Sequence, residues 1–357
     1  MNWKIDYQQA PLLVIWEITR SCELACQHCR ASAIDQRDPA ELTLAEGRKL
    51  IDDVASMGTP LIVFTGGDPL QRDDLEELVA HAKSRQLTVG TIPACTPRLT
   101  RERVLSLKAA GVHQLAVSVD AETAAKHDAF RGVPGTYAKM IEAAGWIREA
   151  GVNLQANTVF GSWNVNDFDA LAALVEKLGV VFWEVFFLVP TGRGSALRGC
   201  TAAEFERLFE KIYQLSKRAP FVIKVTEGQH LRRYMAQRAA TDPEAGRMRG
   251  RMMISGPPVN SGHGFCFVDY AGNVCPSGFL PLECGNVRDK SVVEIYRNHP
   301  VFRELRQFNL LKGKCGRCEF RDACSGGSRA RAYAVTGDYL AEEPACAYEP
   351  PAAAQPG

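Results

Sequence analysis

Residues 12–29 read LLVIWEITRSCELACQHC: an apolar, strand-like run, Leu12–Ile18, followed closely by Cys22, Cys26 and Cys29. The spacing is C-x3-C-x2-C, and it puts three thiols on a loop at the C-terminal end of a strand. In parallel α/β sheets that end is where active sites are built. The same unit recurs downstream. Apolar runs at Leu61–Thr65, Leu87–Ile92, His113–Val119, Asn153–Phe160 and Val180–Val189 alternate with amphipathic stretches near 43–57, 72–85, 100–110, 135–150 and 165–178. Leu44, Leu50, Ile51 and Val54 show the three- and four-residue spacing of a helix face. Alternating strands and helices predict a parallel sheet with helices outside it. Eight repeats would close a barrel; six predict an α/β fold with a partial (β/α)6 TIM-type barrel and an open side.

Beyond the barrel, residues 201–217 read as a helix and Phe221–Val225 as a strand, which closes a first unit at 1–225. Residues 226–264 are expected to be a linker or loop with a helix, rich in Gly, Pro and Arg toward its end. Residues 265–349 are expected to form a small cysteine-rich C-terminal domain. It opens on a hairpin signal around Ala271-Gly272-Asn273 and continues with short helices near 291–308 and 327–335. The tail, 350–357, is expected to be disordered.

Composition narrows the function. The 357 residues carry 42 Lys+Arg against 41 Asp+Glu, a formal charge of +1. That balance excludes a globally basic nucleic-acid binder. No apolar run approaches about 18 residues, so no membrane span is expected. The first residues lack a secretory pattern, so a cytoplasmic protein is expected. Twelve cysteines in such a chain point to metal or iron–sulfur ligands, because cytosolic thiols stay reduced.

Three thiolates as close as Cys22, Cys26 and Cys29 can hold three irons of one [4Fe–4S] cluster. The fourth iron is then left for another molecule. A zinc knuckle is the competing use, though no paired C-x2-C lies nearby. Cys315, Cys318, Cys324 and Cys346 follow C-x2-C-x5-C-x21-C, enough for a complete second [4Fe–4S] cluster or for tetrahedral zinc. Cys266, Cys275 and Cys284 have no evident fourth partner. They are read as a third cluster with an open iron, a cluster completed by another side chain, or packed thiols. Cys95 and Cys200 are read as buried thiols. Phe64-Thr65-Gly66-Gly67-Asp68-Pro69 follows the second strand, where two glycines let the backbone approach a ligand.

The cysteine motif after strand one of this repeat resembles the radical S-adenosylmethionine (radical SAM) superfamily. Gly66, Gly67, Asp68 and Pro69 resemble its GGEP motif, with Asp in place of Glu. The resemblance implies that the open iron chelates SAM, and that the reduced cluster cleaves it to a 5′-deoxyadenosyl radical that abstracts a substrate hydrogen. It implies SAM contacts at Gly66, Gly67, Asp68, Pro69, Ser118, Asp120, Arg131, Asn157, Thr158 and Val189. His28 stands where the family carries an aromatic ring near the adenine.

The C-terminal cysteines resemble the SPASM extension, whose four corresponding thiols ligate an auxiliary cluster suited to electron transfer. Ser328 departs from that pattern, standing where the extension has a further cysteine. The stretch from Ile15 to Ala31 is similar to enzymes of alternative haem and haem d1 biosynthesis and to peptide-maturing enzymes. An iron tetrapyrrole, modified oxidatively on a side chain, is therefore the expected substrate, with a ribosomally made peptide as the alternative. The stretch before the barrel is expected to be too short for a leader-binding domain. A flavodoxin- or ferredoxin-type reductant is implied. Arg232, Arg233, Arg238, Arg247, Arg249 and Arg251 are candidate grips for substrate carboxylates, and His230 and His263 candidate axial iron ligands. From other classes, a zinc-stabilised binding protein and a ferredoxin-like carrier stay open.

Overall fold

The computed structural model describes residues 4–243, 252 and 256–351. Seven parallel strands form the barrel wall: β1 (Leu13–Glu17), β2 (Leu61–Thr65), β3 (Thr88–Thr91), β4 (Gln114–Ser118), β5 (Asn153–Phe160), β6 (Phe182–Phe187) and β7 (Val222–Thr226). They lie side by side in chain order, so each strand pairs with its predecessor. Helices α1 (Leu44–Ser56), α2 (Leu75–Ser84), α3 (Arg101–Ala110), α4 (Ala124–Arg131), α5 (Thr136–Glu149), α6 (Phe168–Leu178) and α7 (Ala202–Ser216) connect them. The sheet curls into a partial barrel. Its seventh strand lies one residue along from the run at Phe221–Val225. Helix α4 was not expected; its eight residues bury only His127 and Phe130, too short a stripe to show as periodicity.

Local chemistry sets the helix ends. Thr43 caps α1 and Thr201 caps α7, each in a capping box with the glutamate three residues on. Helix α3 stops at Gly111, whose φ of 106° suits a residue without Cβ. The core lies between sheet and helices, with Trp16, Phe64, Phe160, Phe168 and Trp183 almost fully buried.

The C-terminal part continues the same sheet. Strand β8 (Phe265–Val268) pairs parallel with β1, and β9 (Val274–Cys275) pairs antiparallel with β8. Within 226–264, α8 (Leu231–Ala239) is helical. The single helix expected over 291–308 is two, α9 (Val292–Asn298) and α10 (Pro300–Leu305). Pro300 lacks an N–H and holds His299 extended, at ψ 133°. Short helices α11 (Gly313–Gly316), α12 (Arg321–Cys324) and α13 (Arg329–Thr336) complete the domain. Arg247, Arg249, Arg251 and most of the tail lie outside the described residues. Among the described residues no helix is long and apolar enough to cross a membrane.

Candidate active site and cysteine sites

At the C-terminal ends of the strands lies a cavity of about 220 Å³. Cys22, Cys26, Cys29, His28, Gly66, Gly67, Ser118, Asp120, Arg131, Asn157 and Val189 all line it. Side chains and backbone from five strand ends thus converge on the three thiols.

The cysteine loop is seated by close backbone approach. A Cβ on Gly67 would stand 2.5 Å from the carbonyl oxygens of Arg20 and Ser21, and 2.8 Å from Cys22 Cβ. The Gly67 N–H donates to Thr19 O at 2.8 Å, and the Asp68 N–H to Ser21 O at 2.7 Å. The double glycine therefore admits the cysteine loop itself, an approach the sequence suggested only for a ligand. Gly192, at φ 53°, closes the other side; its Cβ would lie 2.3 Å from Arg30 O. Next to it Arg193 Nε donates to Cys26 O at 2.9 Å and Nη1 to Ala33 O at 3.3 Å. Arg193 carried no sequence signal, because its partners are carbonyls more than 150 residues away.

Electrostatics along the wall are paired. The His28 ring stacks on Phe130 at 4.6 Å, and Phe130 on Trp163 at 4.9 Å. Burial pushes the His28 pKa down to about 4, so the ring is neutral at pH 7. Burial alone would raise the Asp120 carboxyl, but the Arg131 guanidinium beside it holds it below the usual carboxylate range. Arg131 Nη1 also lies 3.6 Å from Cys26 Sγ. Burial pushes the Cys22 thiol up to about 12.

Three expected SAM contacts do not face this cavity. Asp68 is fully buried behind it. Its carboxylate accepts from Leu70 N, Ala94 N and Thr96 Oγ1 at 3.1, 3.2 and 2.9 Å, capping the turn Pro69–Gln71. Pro69 goes with that turn, away from the cavity. Thr158 points into the helix-facing core, where its Oγ1 donates to Val119 O and accepts from Trp183 Nε1. Successive strand residues face opposite sides, so Asn157 and Thr158 on β5 cannot both line the barrel. Conversely, Ile92, Phe186 and Phe279 line the cavity without having been singled out.

Those three residues also border a larger cavity, about 380 Å³, that runs down the barrel interior. Its walls are mainly aliphatic and aromatic. One wall carries a polar ladder: Lys224 Nζ and Thr226 Oγ1 donate to Glu184 at 2.6 and 2.7 Å, and Gln155 Nε2 donates to it at 2.9 Å. Of the candidate arginines, Arg232 lines this cavity and donates to the carbonyls of Gly256 and Pro257. Arg233 and Arg238 instead pair with Glu206 and Glu210. His263 Nδ1 donates to Pro258 O, 2.6 Å away, and the ring packs edge-on to Tyr7 and Phe308. His230 faces the C-terminal cysteines, not the barrel interior, because its ring packs against Phe205 and Phe209 of α7.

Cys315, Cys318, Cys324 and Cys346 line one small cavity together with His230, Arg233, Lys314, Arg321 and Glu343. Four thiols with three cations around them suit a cluster that carries net negative charge when fully thiolate-ligated. The Glu343 N–H already donates to Cys315 Sγ at 3.4 Å. Cys266, Cys275 and Cys284 are also buried. By register Cys266 shares the face of Val14, on the helix side, whereas Cys275 lies opposite Phe267 and so faces the other way. Cys95 packs in the main core and Cys200 against it; burial pushes both thiols up to about 12.

Comparison with known proteins agrees with this architecture. The radical SAM superfamily model matches residues 16–175, and the SPASM model, an iron–sulfur cluster-binding domain, matches residues 260–319. The chain is 41% identical over 351 residues to an AdoMet-dependent heme synthase of Nitratidesulfovibrio vulgaris, covering 95% of this chain and 92% of the relative. It is 40% identical over 354 residues to an AdoMet-dependent heme synthase of Methanosarcina barkeri, covering 97% and 99%. Among solved structures, Streptococcus suis SuiB bound to S-adenosylmethionine superposes with a TM-score of 0.73 at 16% identity, over 95% of this chain and 78% of that one.

Proposed function

The chain belongs to the radical SAM superfamily and carries its SPASM iron–sulfur extension, and from that premise we propose that it oxidatively modifies a side chain of an iron tetrapyrrole. It is an enzyme that uses SAM, a [4Fe–4S] cluster and auxiliary iron–sulfur chemistry. The observation that carries the tetrapyrrole reading is the likeness, near 40% identity over almost the whole chain, to enzymes named heme synthases.

Residues 1–225 form the SAM-cleaving unit in this reading, residues 265–349 the auxiliary-cluster unit, and 226–264 the link between them. Cys22, Cys26 and Cys29 would hold the SAM cluster, and Cys315, Cys318, Cys324 and Cys346 an auxiliary one. When bound, the reduced cluster and SAM supply the hydrogen-abstracting 5′-deoxyadenosyl radical. The chain's own residues do the rest. Gly66 and Gly67 offer backbone groups at the cavity wall, and Ser118 and Asn157 offer polar side chains. Arg131, fixed by Asp120, presents a cation next to Cys26. Neutral His28 offers a flat, stacked face. The barrel-interior cavity takes the macrocycle. Arg232 and Lys224 are the cations on its wall suited to substrate carboxylates, and Ile92, Phe186 and Phe279 stand where it meets the SAM cavity. Apolar walls keep water from the radical. A flavodoxin- or ferredoxin-type protein delivers the electron.

The test is 5′-deoxyadenosine formation by anaerobically reconstituted, reduced protein, with and without iron-coproporphyrin, followed by mass analysis of the porphyrin. Stimulated turnover with loss of mass from a propionate side chain supports the reading. Unstimulated, slow SAM cleavage rejects the tetrapyrrole and turns the search to peptides. Iron analysis of a Cys315, Cys318, Cys324 triple-alanine variant assigns the middle thiols: four irons per chain make them packing, eight make them ligands.

A further inference from the structure

His230 precedes α8 and is completely buried, yet neither ring nitrogen has a hydrogen-bond partner among the described residues. The ring packs against Phe205 and Phe209, each with centroids 4.8 Å away, and lines the cavity of Cys315, Cys318, Cys324 and Cys346. A buried imidazole always carries at least one N–H, and buried donors are almost always satisfied. Several oxygens of the same cavity wall already accept other donors. Glu343 Oε1 accepts from Arg331 and Ala345 N, and Oε2 from Arg331 and Ser328 N. Gly326 O accepts from Arg329, and Gly327 O from Asn260 Nδ2. The side chains of Arg233, Lys314 and Arg321 are donors and cannot accept. Both ring nitrogens are thus left without a partner in a side chain that lines the cavity of the four cysteines.

We infer that His230 is a positioning residue for the auxiliary cluster, donating its ring N–H to a sulfur there and raising the cluster's reduction potential. The inference rests on the reading that these four cysteines hold a cluster. Reduction adds negative charge to the cluster's sulfurs, and a donor aimed at them favours the reduced form. The cluster is thereby set to accept an electron. The aromatic walls on α7 fix the ring so that it cannot swing away to water.

The experiment uses the full chain with Cys22, Cys26 and Cys29 replaced by alanine, so that the SAM cluster does not contribute. An EPR-monitored redox titration compares this protein with the same protein carrying His230→Phe, which keeps the aromatic packing and removes the donor. The inference expects the reduction equilibrium to fall at least tenfold, about 59 mV for one electron. In parallel, 15N-histidine labelling of the protein with His230 intact should give a nitrogen coupling on the reduced cluster in pulsed EPR, which does not depend on the variant folding. A cluster present with an unchanged potential and no histidine coupling overturns the inference alone. Absence of iron at the four cysteines overturns it together with the ligand reading beneath it.

Discussion

Replacing Gly67 by alanine tests whether the double glycine seats the cysteine loop. The added methyl would meet two backbone carbonyls at 2.5 Å and Cys22 Cβ at 2.8 Å, whereas real Cβ atoms stay beyond about 3.0 Å. None of these is a flexible side-chain end, so the segment Arg20–Cys22 must retreat by roughly half an ångström or more, as such a clash requires. Overpacking of this kind costs about 1–3 kcal/mol. The displacement falls on the backbone that carries the first thiol, so iron loading and SAM cleavage should drop along with thermal stability. Gly145→Ala is the matched control. It lies inside α5 with nothing within 4 Å of its Cβ, so it should stabilise by about 0.5–1 kcal/mol through helix propensity. Both proteins are reconstituted anaerobically and compared by iron per chain, thermal unfolding and 5′-deoxyadenosine yield. A Gly67→Ala protein with the melting temperature, iron content and cleavage rate of the unmodified chain would refute the reasoning.

Other outcomes follow from the same geometry. Arg131→Met leaves Asp120 buried without its cation and should cost about 3–5 kcal/mol in denaturant unfolding, the usual penalty for one half of a buried pair; a loss below 1 kcal/mol contradicts the pairing. Asn157→Ala should weaken SAM binding in a titration while Thr158→Ala should not, because only Asn157 faces the cavity. Glu227, buried and hydrogen-bonded to Ser328, has its carboxyl raised by that burial above the ordinary value. The folded chain therefore holds a proton there that the unfolded chain has released, and stability falls as pH rises from the ordinary glutamate value through the raised one. Glu227→Gln should flatten that part of the stability–pH curve, and an unaltered slope in urea melts across the window would count against it.

The parallel barrel was legible along the chain, as was the convergence of Cys22, Cys26 and Cys29 on one cavity and of Cys315, Cys318, Cys324 and Cys346 on another. Those features are local: Leu12–Ile18 and the thiols that follow lie within one short stretch, and the helix faces repeat every three or four residues. β7 and α8 were also legible. The orientation of single side chains was not. Asp68 and Thr158 belong to the right loop and strand, yet each turns toward donors and acceptors supplied by distant segments: Ala94 and Thr96 for one, Val119 and Trp183 for the other. Arg193 clamps the cysteine loop from the far side of the barrel, and His230 lines the cavity of the C-terminal thiols from the start of α8. No sequence period encodes such contacts. They are fixed by which face of each element the packed core leaves free, and by which buried polar atoms still lack a partner once the backbone is satisfied.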